Sequence, residues 1–408
     1  MATVNDASAL FKRVWGDGTL KAVPDFAKLQ KEIPFSKREK LGDMYVQPVL
    51  LQHEHGFSYG SHGDGAFTLN ASVAGAVQQA QIRGSMIVLR SQLSYEDVFK
   101  AVEQGPAAFE AAMGLVVENM QKSFAKRQEL SFLYGQQGLG QVSGINTGVI
   151  TITDASWAPG IWSGMKDCIL EAFDAQTASA SQHNGDLTVS AVSYSAKTVT
   201  VTGTSSSVVA NDHLYFKGAR TTTALKECIG LDKIITTSSG TIFNISASSY
   251  ELWRGQSRSV GGAISMLAVL NAASDASNLG LMEQAKLYLP VKRWNQLNSD
   301  QAALRRYGAY SSKYENGAEG IVYHSTNGAI EVEAHPFVKE GEGFFLPNPS
   351  KRVMRVGASD ISFRRPGMTD EIFRELVDNA GLELRAFSDQ AIMITTPAHA
   401  VKLTGITN

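Results

Sequence analysis

The chain has 408 residues and a mass of 43.9 kDa, with 43% hydrophobic and 19% charged residues. This composition excludes a mostly disordered chain, and the length suffices for roughly two to three domains. The formal net charge of −2 argues against a protein whose overall field draws it onto DNA or an anionic membrane. No apolar run approaches the roughly 18 residues of a membrane span, and the first residues lack the pattern of a signal peptide. Cys168 and Cys228 are the only cysteines, so we expect reduced core thiols and no disulfide framework.

The N-terminal segment from residue 11 to residue 40 is locally basic. It carries eight Lys or Arg residues against four acidic residues, together with Pro24, Pro34 and scattered apolar positions. Such a composition cannot form a core of its own. We therefore predict an arm that lies on another surface.

Residues 41–90 contain no lysine and few charges. Apolar residues alternate on both sides of a glycine-rich stretch, at Val49 and Leu51 before it and at Ile82, Met86 and Val88 after it. Alternation with period two is typical of strands. The pattern predicts a long hairpin with a glycine-rich tip.

Helical patterns follow the hairpin. The capping box Ser94-x-x-Asp97 predicts a short helix, and Gly105-Pro106 ends it and opens a second helix that runs to about Tyr134. Apolar residues recur at helical spacing along this second helix, which would be about 40 Å long: Phe109, Met113, Val116, Met120 and Phe124. A further helix is predicted near residues 161–178.

Residues 186–250 differ in composition from the rest of the chain. Serine and threonine account for 22 of these 65 residues, and they alternate with valine from Thr198 to Thr202. This pattern predicts a compact β-rich insertion, which we expect to project from the outer surface and to be removable without loss of assembly.

The remaining elements are predicted from local signals. A strand at 285–289 precedes a helix started by Pro290, and Asn327-Gly328 predicts a hairpin turn. The predicted segments after that helix are the hairpin strands 321–324 and 330–334, a last helix at 370–379, and strands at 382–387, 391–395 and 400–403.

The stretch "QHEHGFSYGSHGDGAF", residues 52–67, contains the two motifs that suggest catalysis. Ser58 lies in a G-x-S-x-G pattern, and His53-x-His55 with His62 resembles a metal-ligand set. A nucleophile elbow requires a strand before the serine and a helix after it, and the surrounding glycines disfavour that helix. A flexible tip also holds metal ligands poorly. A Ser58 hydrolase and a histidine metalloenzyme therefore remain the less favoured alternatives, and we expect no catalytic residue, cofactor or structural metal.

A second group of charged residues lies near the C-terminus. Basic side chains cluster around Asp360, and Phe363 is the only aromatic residue interleaved with them: Lys351, Arg352, Arg355, Arg364 and Arg365. A nucleic-acid surface normally adds an aromatic platform. Ion pairing with another protein surface is the more economical interpretation.

The order of these elements resembles the major capsid protein of tailed bacteriophages, which has the Hong Kong 97-like capsid fold. Three segments resemble that family most: "LYLPVKRWNQLNSD", "YHSTNGAIEVEAHPFVKEGEGFFLPNPSKRVMRVGASD" and "ELRAFSDQAIMITTPAHAVKLTGI". The resemblance spans most of the chain and rests on the order of the elements.

The resemblance implies an α+β fold with an N-terminal arm, an extended loop hairpin, a long spine helix, peripheral and axial domains, and a β-rich insertion. The implied division is: arm 1–44, extended loop 45–90, peripheral domain with spine helix 91–150, axial domain 151–185, insertion 186–250, axial domain 251–325, and peripheral strands with the C-terminal segment 326–408.

The resemblance also implies the function. Many copies, as hexamers and pentamers, would assemble into the icosahedral shell of the virion, made in the host cytoplasm, around double-stranded DNA held without sequence specificity. Portal protein is an implied partner, scaffolding or cement proteins are optional ones, and a membrane is not implied. An encapsulin-like cargo compartment is the alternative with the same fold.

Two expectations concern contacts between subunits. Some members of the family join the loop to a neighbour through a lysine–asparagine bond, but this chain has no lysine between Lys40 and Lys100, so we expect non-covalent contacts. Glu54 and Asp64 are the only charged residues other than histidine between Asp43 and Arg83. We expect these carboxylates to contact the basic residues of a neighbouring chain, namely Arg352, Arg355, Arg364 and Arg365.

Overall fold

The computed structural model describes residues 27–37, 44–63, 65–96, 106–183, 185–299, 321–325, 328–363, 373–376 and 380–407. The helices in these ranges are α1 (Lys28–Glu32), α2 (Pro106–Tyr134), α3 (Pro159–Trp162), α4 (Leu231–Thr236), α5 (Met266–Asn278), α6 (Val291–Asn298) and α7 (Pro349–Arg352). None of these helices is both long and apolar enough to span a membrane. Short 3-10 turns occur at Asp154–Ser156, Glu251–Trp253 and Pro397–His399.

The first strands of the described ranges are β1 (Phe35–Lys37), β2 (Tyr45–Leu50), β3 (Val77–Ile82), β4 (Ser85–Ser94), β5 (Gly140–Asn146), β6 (Val149–Ile152), β7 (Ile169–Phe173), β8 (Leu187–Ser193), β9 (Thr198–Thr202), β10 (His213–Phe216), β11 (Thr241–Ile242) and β12 (Ile245–Ser246). The later strands are β13 (Gln256–Gly262), β14 (Ala285–Leu289), β15 (Ile321–Ser325), β16 (Gly328–Ala334), β17 (Gly343–Pro347), β18 (Val353–Ser362), β19 (Phe373–Glu375), β20 (Gly381–Ile394) and β21 (Val401–Ile406).

Strands β2 and β3 form the predicted hairpin. They pair antiparallel from Tyr45 opposite Ile82 to Leu50 opposite Val77. The returning strand is shorter than predicted, because the chain turns at Gly84 and the apolar residues that follow belong to β4. Strand β4 pairs along its length with β20 and lies outside the hairpin.

Helix α2 has the predicted C-terminal end and carries 29 residues, which is about 43 Å at 1.5 Å per residue. Met120 and Phe124 pack on Leu384 and Ala386 of β20. The last turn enters the largest core of the molecule. The helix ends at Tyr134, and only glycine fits at the next position, because a Cβ atom at Gly135 would collide with the carbonyl oxygen of Cys228.

One sheet packs against α2. Its strands follow the order β1-β18-β20-β19, and β4 pairs with β20 over ten residue pairs on the edge opposite β18. The sheet corrects two expectations. Residues 373–375 are a strand paired with β20, although a helix was predicted at 370–379. The predicted strands 382–387 and 391–395 are one continuous strand, β20.

A closed six-stranded barrel follows α2, in the order β10-β5-β6-β9-β8-β7. It begins at Gly140, so the β-rich unit extends well before the predicted boundary at residue 186. The helix predicted at 161–178 is wrong. Only α3 is helical there, because Gly164 and Asp167 adopt positive φ angles of 67° and 64° and the chain then enters β7.

Residues 217–250 leave the barrel and return to the main core. Leu231, Ile234 and Ile235 of α4 are at most 1% exposed. Asp232 of the same helix lies 2.6 Å from Nζ of Lys402, and burial raises the pKa of this carboxyl group. The expectation that residues 186–250 form one exposed unit is therefore wrong, because part of the segment lies in the core. That the segment can be deleted without loss of assembly stays untested, and the loss of core contacts argues against it.

The second sheet has the order β13-β21-β17-β14-β16-β15 and packs with α5 and α6 around a separate apolar cluster. The predicted strand 285–289, the helix after Pro290 and the β15–β16 hairpin are confirmed. Several predicted features lie outside the described residues: the first part of the arm, the helix after Ser94 beyond residue 96, Leu304 and Asn327.

The described end of the arm is held by the chain itself. Glu129 of α2 is fully buried, and its carboxylate accepts hydrogen bonds from the backbone nitrogens of Leu29 (2.6 Å) and Gln30 (3.0 Å). His335 Nε2 lies 3.0 Å from the same carboxylate, and its Nδ1 accepts a bond from the backbone of Phe337. Glu129 thus joins the arm, the long helix and the strand end at His335.

We predict that Glu129→Gln lowers the free energy of unfolding by about 3 kcal/mol, because glutamine keeps the size but loses the charge and directs a donor at an N–H group. Chemical denaturation measures this loss. Glu118→Gln removes a partly exposed pair with Lys122 on the same helix and is expected to cost about 0.5 kcal/mol or less. Equal effects of the two substitutions would contradict the anchoring role.

Candidate assembly surface

The tip of the hairpin exposes large apolar side chains. Phe57 is 71% exposed, Tyr59 91%, Phe67 47% and Leu69 75%. In each pair the residues are two apart, so in extended chain their side chains share one side. Asn70 joins the two limbs, because its backbone donates to Ser58 Oγ at 2.6 Å and its side chain donates to the carbonyl of Phe57 at 2.8 Å. We name the four residues the loop patch.

The hairpin exposes further apolar side chains, namely those of Leu50, Val73 and Val77. Side chains of this size gain about 1.5–3 kcal/mol each when they become buried. Single exposed apolar residues are ordinary, but contiguous ones mark interaction surfaces. The hairpin therefore has the composition of a surface that another molecule covers.

The two catalytic alternatives lie on this same loop. Ser58 is flanked by residues without regular structure, and Gly56 and Gly63 have φ angles of 131° and 96°. The strand and helix that a nucleophile elbow requires are not formed between residues 52 and 63. The Ser58 hydroxyl accepts a backbone hydrogen bond and so has a structural role in the loop.

The three histidines of the loop, His53, His55 and His62, are exposed. Within the described ranges, no group of three or more His, Cys, Asp or Glu residues is arranged to hold a metal ion. Asp64 lies outside those ranges. That the histidines bind no structural metal stays a prediction.

The basic residues near the C-terminus already have partners inside the subunit. Arg352 pairs with Glu283, and this hydrogen bond lowers the pKa of the glutamate. Arg355 is 6% exposed, and its guanidinium donates to the carbonyl of Ile33 at 2.9 Å and to Asp360 at 3.2 Å. The contact expected between the loop carboxylates and this cluster stays a prediction, and Arg355 does not support it, since its charge is buried and engaged. Arg364 and Arg365 lie outside the described residues.

A groove lies between β4 and α2, and sequence reasoning missed it. It has a volume of about 390 Å³, and its lining includes the start of β4, one face of α2 around Phe124, and the segments around Lys217 and Lys226. Ile87 and Leu89 of β4 pack toward the cluster around Phe124, whereas Met86 and Val88, which alternate with them, lie exposed on the other face of the strand. The alternation from Met86 to Arg90 signals a strand, but the sequence assigned these residues to the hairpin. We name this feature the β4–α2 groove.

The groove carries basic groups. Arg127 stacks on the Phe216 ring, with 3.2 Å between the guanidinium carbon and the ring centroid, and burial lowers its pKa. Lys217 forms an ion pair with Asp186. Glu227 also lines the groove, and burial raises the pKa of its carboxyl group. Lys226 is exposed and forms no ion pair with any residue that the structure describes. The groove thus combines apolar side chains with an available cation.

No protein-family model matches the chain, and no curated protein matches it significantly. Solved structures do match over nearly the whole length. The capsid of a native GTA particle aligns with a TM-score of 0.53 at 8% identity, covering 97% of this chain and 95% of that chain. The capsid of cyanophage A-1(L) gives 0.51 at 11% identity, with 97% and 96% covered, and that of cyanophage P-SCSP1u gives 0.51 at 10% identity, with 98% and 94% covered.

These similarities define the chain as a protein with a viral capsid fold. Two of the three structures are capsids of cyanophages, and the chain shares the fold of the chains in all three. The α+β capsid fold predicted from the sequence is confirmed. At 8–11% identity the similarity concerns the fold alone. The interpretation of the hairpin as an assembly surface rests on the exposed side chains of the loop patch.

We predict that Arg355→Ala lowers the free energy of unfolding by about 3 kcal/mol, because it leaves buried acceptors of the arm and of β20 without their donor. Lys351→Ala, which changes an exposed neighbour in the same cluster, is expected to shift stability by about 0.5 kcal/mol or less. Thermal unfolding of the two variants measures the difference. A stable Arg355→Ala subunit that fails only in assembly would contradict this assignment.

Proposed function

We propose that this chain is the major capsid protein of a tailed bacteriophage. Many copies, arranged as hexamers and pentamers, form the icosahedral shell of the virion around double-stranded DNA. The proposal rests on the exposed loop patch. The chain that carries this patch shares a capsid fold over nearly its whole length. A loop that exposes four large apolar side chains needs a surface to cover it, and a shell of identical subunits supplies one at every position.

The mechanism is assembly and involves no chemical turnover. Each subunit contact can be weak, because every chain makes several contacts at once and closure of the shell makes them mutually reinforcing. Glycines at 56, 60, 63 and 65 leave the loop able to adapt between unlike positions of a curved shell. Two of these, Gly56 and Gly63, have the positive φ angles that favour glycine.

The partners and the location follow from this role. Portal protein completes the shell, with scaffolding or cement proteins as optional partners, and assembly begins in the cytoplasm of the bacterial host. The net charge of −2 suits a shell that must not bind DNA tightly while DNA is packed, since phosphate affinity grows with the number of cations presented. An encapsulin-like compartment is the alternative, and the nucleic-acid content of particles isolated from infected cells distinguishes the two.

Electron microscopy of the purified protein tests the proposal directly. Closed shells or curved shell fragments are the expected result. Discrete particles of one to four chains, under conditions that vary salt and protein concentration, would overturn it.

We predict that the double variant Phe57→Ser, Tyr59→Ser folds normally and assembles poorly. Both side chains are exposed in the subunit, so thermal unfolding is expected to stay unchanged. Each aromatic residue that is covered in the shell contributes about 1.5–3 kcal/mol, so the concentration needed for assembly is expected to rise at least about tenfold. Tyr194→Ser, which removes a half-exposed aromatic residue from the turn between β8 and β9 of the barrel, is the control. Unchanged assembly of the loop variant by light scattering would contradict the role of the loop patch.

We also predict that mature particles contain no covalent link through the loop. Amide bond formation with a neighbour's asparagine needs a lysine amine, and none exists between Lys40 and Lys100. Denaturing electrophoresis is expected to give one band near 43.9 kDa. A ladder of oligomers that survives boiling would refute the prediction.

A further inference from the structure

We propose that Lys402 of β21 and Asp232 of α4 become joined by an amide bond between their side chains, and that Glu342 moves the proton that this reaction requires. The bond belongs to the buried core of a single subunit and does not involve the loop. It forms in the folded chain, so it does not depend on the proposed function.

The three side chains are in direct contact. Nζ of Lys402 lies 2.6 Å from Oδ1 of Asp232 and 2.8 Å from Oε1 of Glu342. They come from α4, from the residue before β17 and from β21, which meet only after folding. An amine held against a carboxyl group has a far higher effective concentration than the same two groups in solution. The fold therefore brings the reacting groups together without any further partner.

The contact is closed to bulk water. Lys402 is 6% exposed and Asp232 is 5% exposed. The aromatic ring of Phe344 lies beside the amine, with 5.9 Å between Nζ and the ring centroid. Exclusion of water favours a reaction that releases a water molecule, and it protects the amide from hydrolysis.

The charges of the cluster determine how the reaction starts. Burial raises the pKa of Asp232, and the neighbouring Glu342 raises it further, so the acid form that an amine can attack becomes more accessible. Burial lowers the pKa of Lys402, but the two carboxylates outweigh burial and the net shift is upward. The resting state is therefore an ion pair, and the amine must lose a proton before it reacts. Glu342 contacts this amine and can accept the proton.

The reaction balances without any other reagent. One ammonium proton passes through Glu342 to Asp232, which leaves a neutral amine beside a carboxylic acid. Nζ then attacks Cγ of Asp232, so that the carbon–nitrogen bond forms and the carbon–oxygen bond to the hydroxyl group breaks. The hydroxyl group leaves as water with a second proton from the nitrogen, and the third proton stays on the amide. No oxidant or reductant takes part.

Asp232 suits the role of electrophile better than Glu342 does. Its helix neighbours Leu231 and Ile234 are fully buried, so its short side chain has a fixed position. The side chain of Glu342 is longer and more exposed, at 18% against 7% for Asp232, and this freedom suits a group that transfers a proton.

The bond would connect two distant parts of the chain. It would close the segment from residue 232 to residue 402 and so restrict the unfolded chain, as a disulfide bond does. Because both ends belong to one chain, denaturing electrophoresis would still give a single band. Intact mass is therefore the property to measure.

Mass spectrometry of the denatured subunit tests the bond. The folded protein is stored until its mass is constant, and the expected mass is then about 18 Da below the sequence mass, because one water is lost. Trypsin is expected to leave Lys402 uncut, so that residues 227–233 and 386–408 appear as one linked species. The full sequence mass overturns the proposal, and a link from Lys402 to Glu342 overturns the choice of Asp232.

Three variants test the assigned roles. Glu342→Gln keeps the size of the side chain, and we expect the bond to form at least about 100-fold more slowly in a subunit that thermal unfolding shows to be folded. Glu340→Gln is the matched control, because Glu340 pairs with Lys197 at 3.0 Å, and its rate is expected to stay unchanged. Lys402→Arg keeps the charge without the amine and is expected to retain the full mass. Unchanged water loss in Glu342→Gln or in Lys402→Arg contradicts the role assigned to that residue.

The outcomes separate the bond from the proposed function. Shells built from subunits of full sequence mass would overturn the bond alone. Subunits that lose water but never form shells or fragments would overturn the proposed function alone. The mass of the unmodified chain decides the existence of the bond even where a variant does not fold.

Discussion

The structure depends on one constraint: the described residues leave the apolar side chains at the end of the hairpin uncovered. Phe57, Tyr59 and Leu69 are more than 70% exposed, although the chain has cores large enough to bury many side chains of this size. The antiparallel pairing of β2 with β3 carries the tip away from those cores. In the proposed shell, a neighbouring subunit would bury these residues, so the subunit would be one unit of a larger structure.

The rest of the molecule gives this hairpin a firm base. Strand β4 follows β3 directly and pairs with β20 over ten residue pairs, and β20 packs on α2 through Leu384 and Ala386. The last turns of α2 enter the main core, where the buried carboxylate of Glu129 also holds the described end of the arm. A fixed base lets a flexible tip search for its partner without unfolding the subunit.

The sequence correctly predicted those elements that are determined by residues close together in the chain. The hairpin β2–β3, the end of α2 and the turn between β15 and β16 each follow from alternation, helical spacing or turn residues. The helix predicted at 161–178 failed because the apolar residues Ile169 and Phe173, four apart, also fit a short strand. Pairing with β8 and β10 decided the outcome, and such long-range pairing leaves no mark in a local window.

Of the candidate surface, the sequence predicted the loop and missed the groove, because the groove depends on contacts between distant parts of the chain. The loop is visible in the sequence because its glycines and its lack of lysine are local properties. The groove combines β4, α2 and the segment around Lys226, which are separated by up to about 140 residues along the chain and meet only after folding. Arg355 shows the converse error, since a basic residue that looks available in the sequence is buried by the arm and by β20.

Side-chain footprinting of assembled particles and of dissociated subunits tests the central claim most directly. Hydroxyl radicals modify exposed aromatic side chains quickly, and mass spectrometry reports the rate at each residue. The account predicts that Phe57 and Tyr59 are modified far more slowly in particles than in subunits, while Tyr194 on the barrel serves as an internal reference. Equal rates at Phe57 and Tyr59 in both states would show that the loop stays uncovered, and would contradict the claim that another chain buries it.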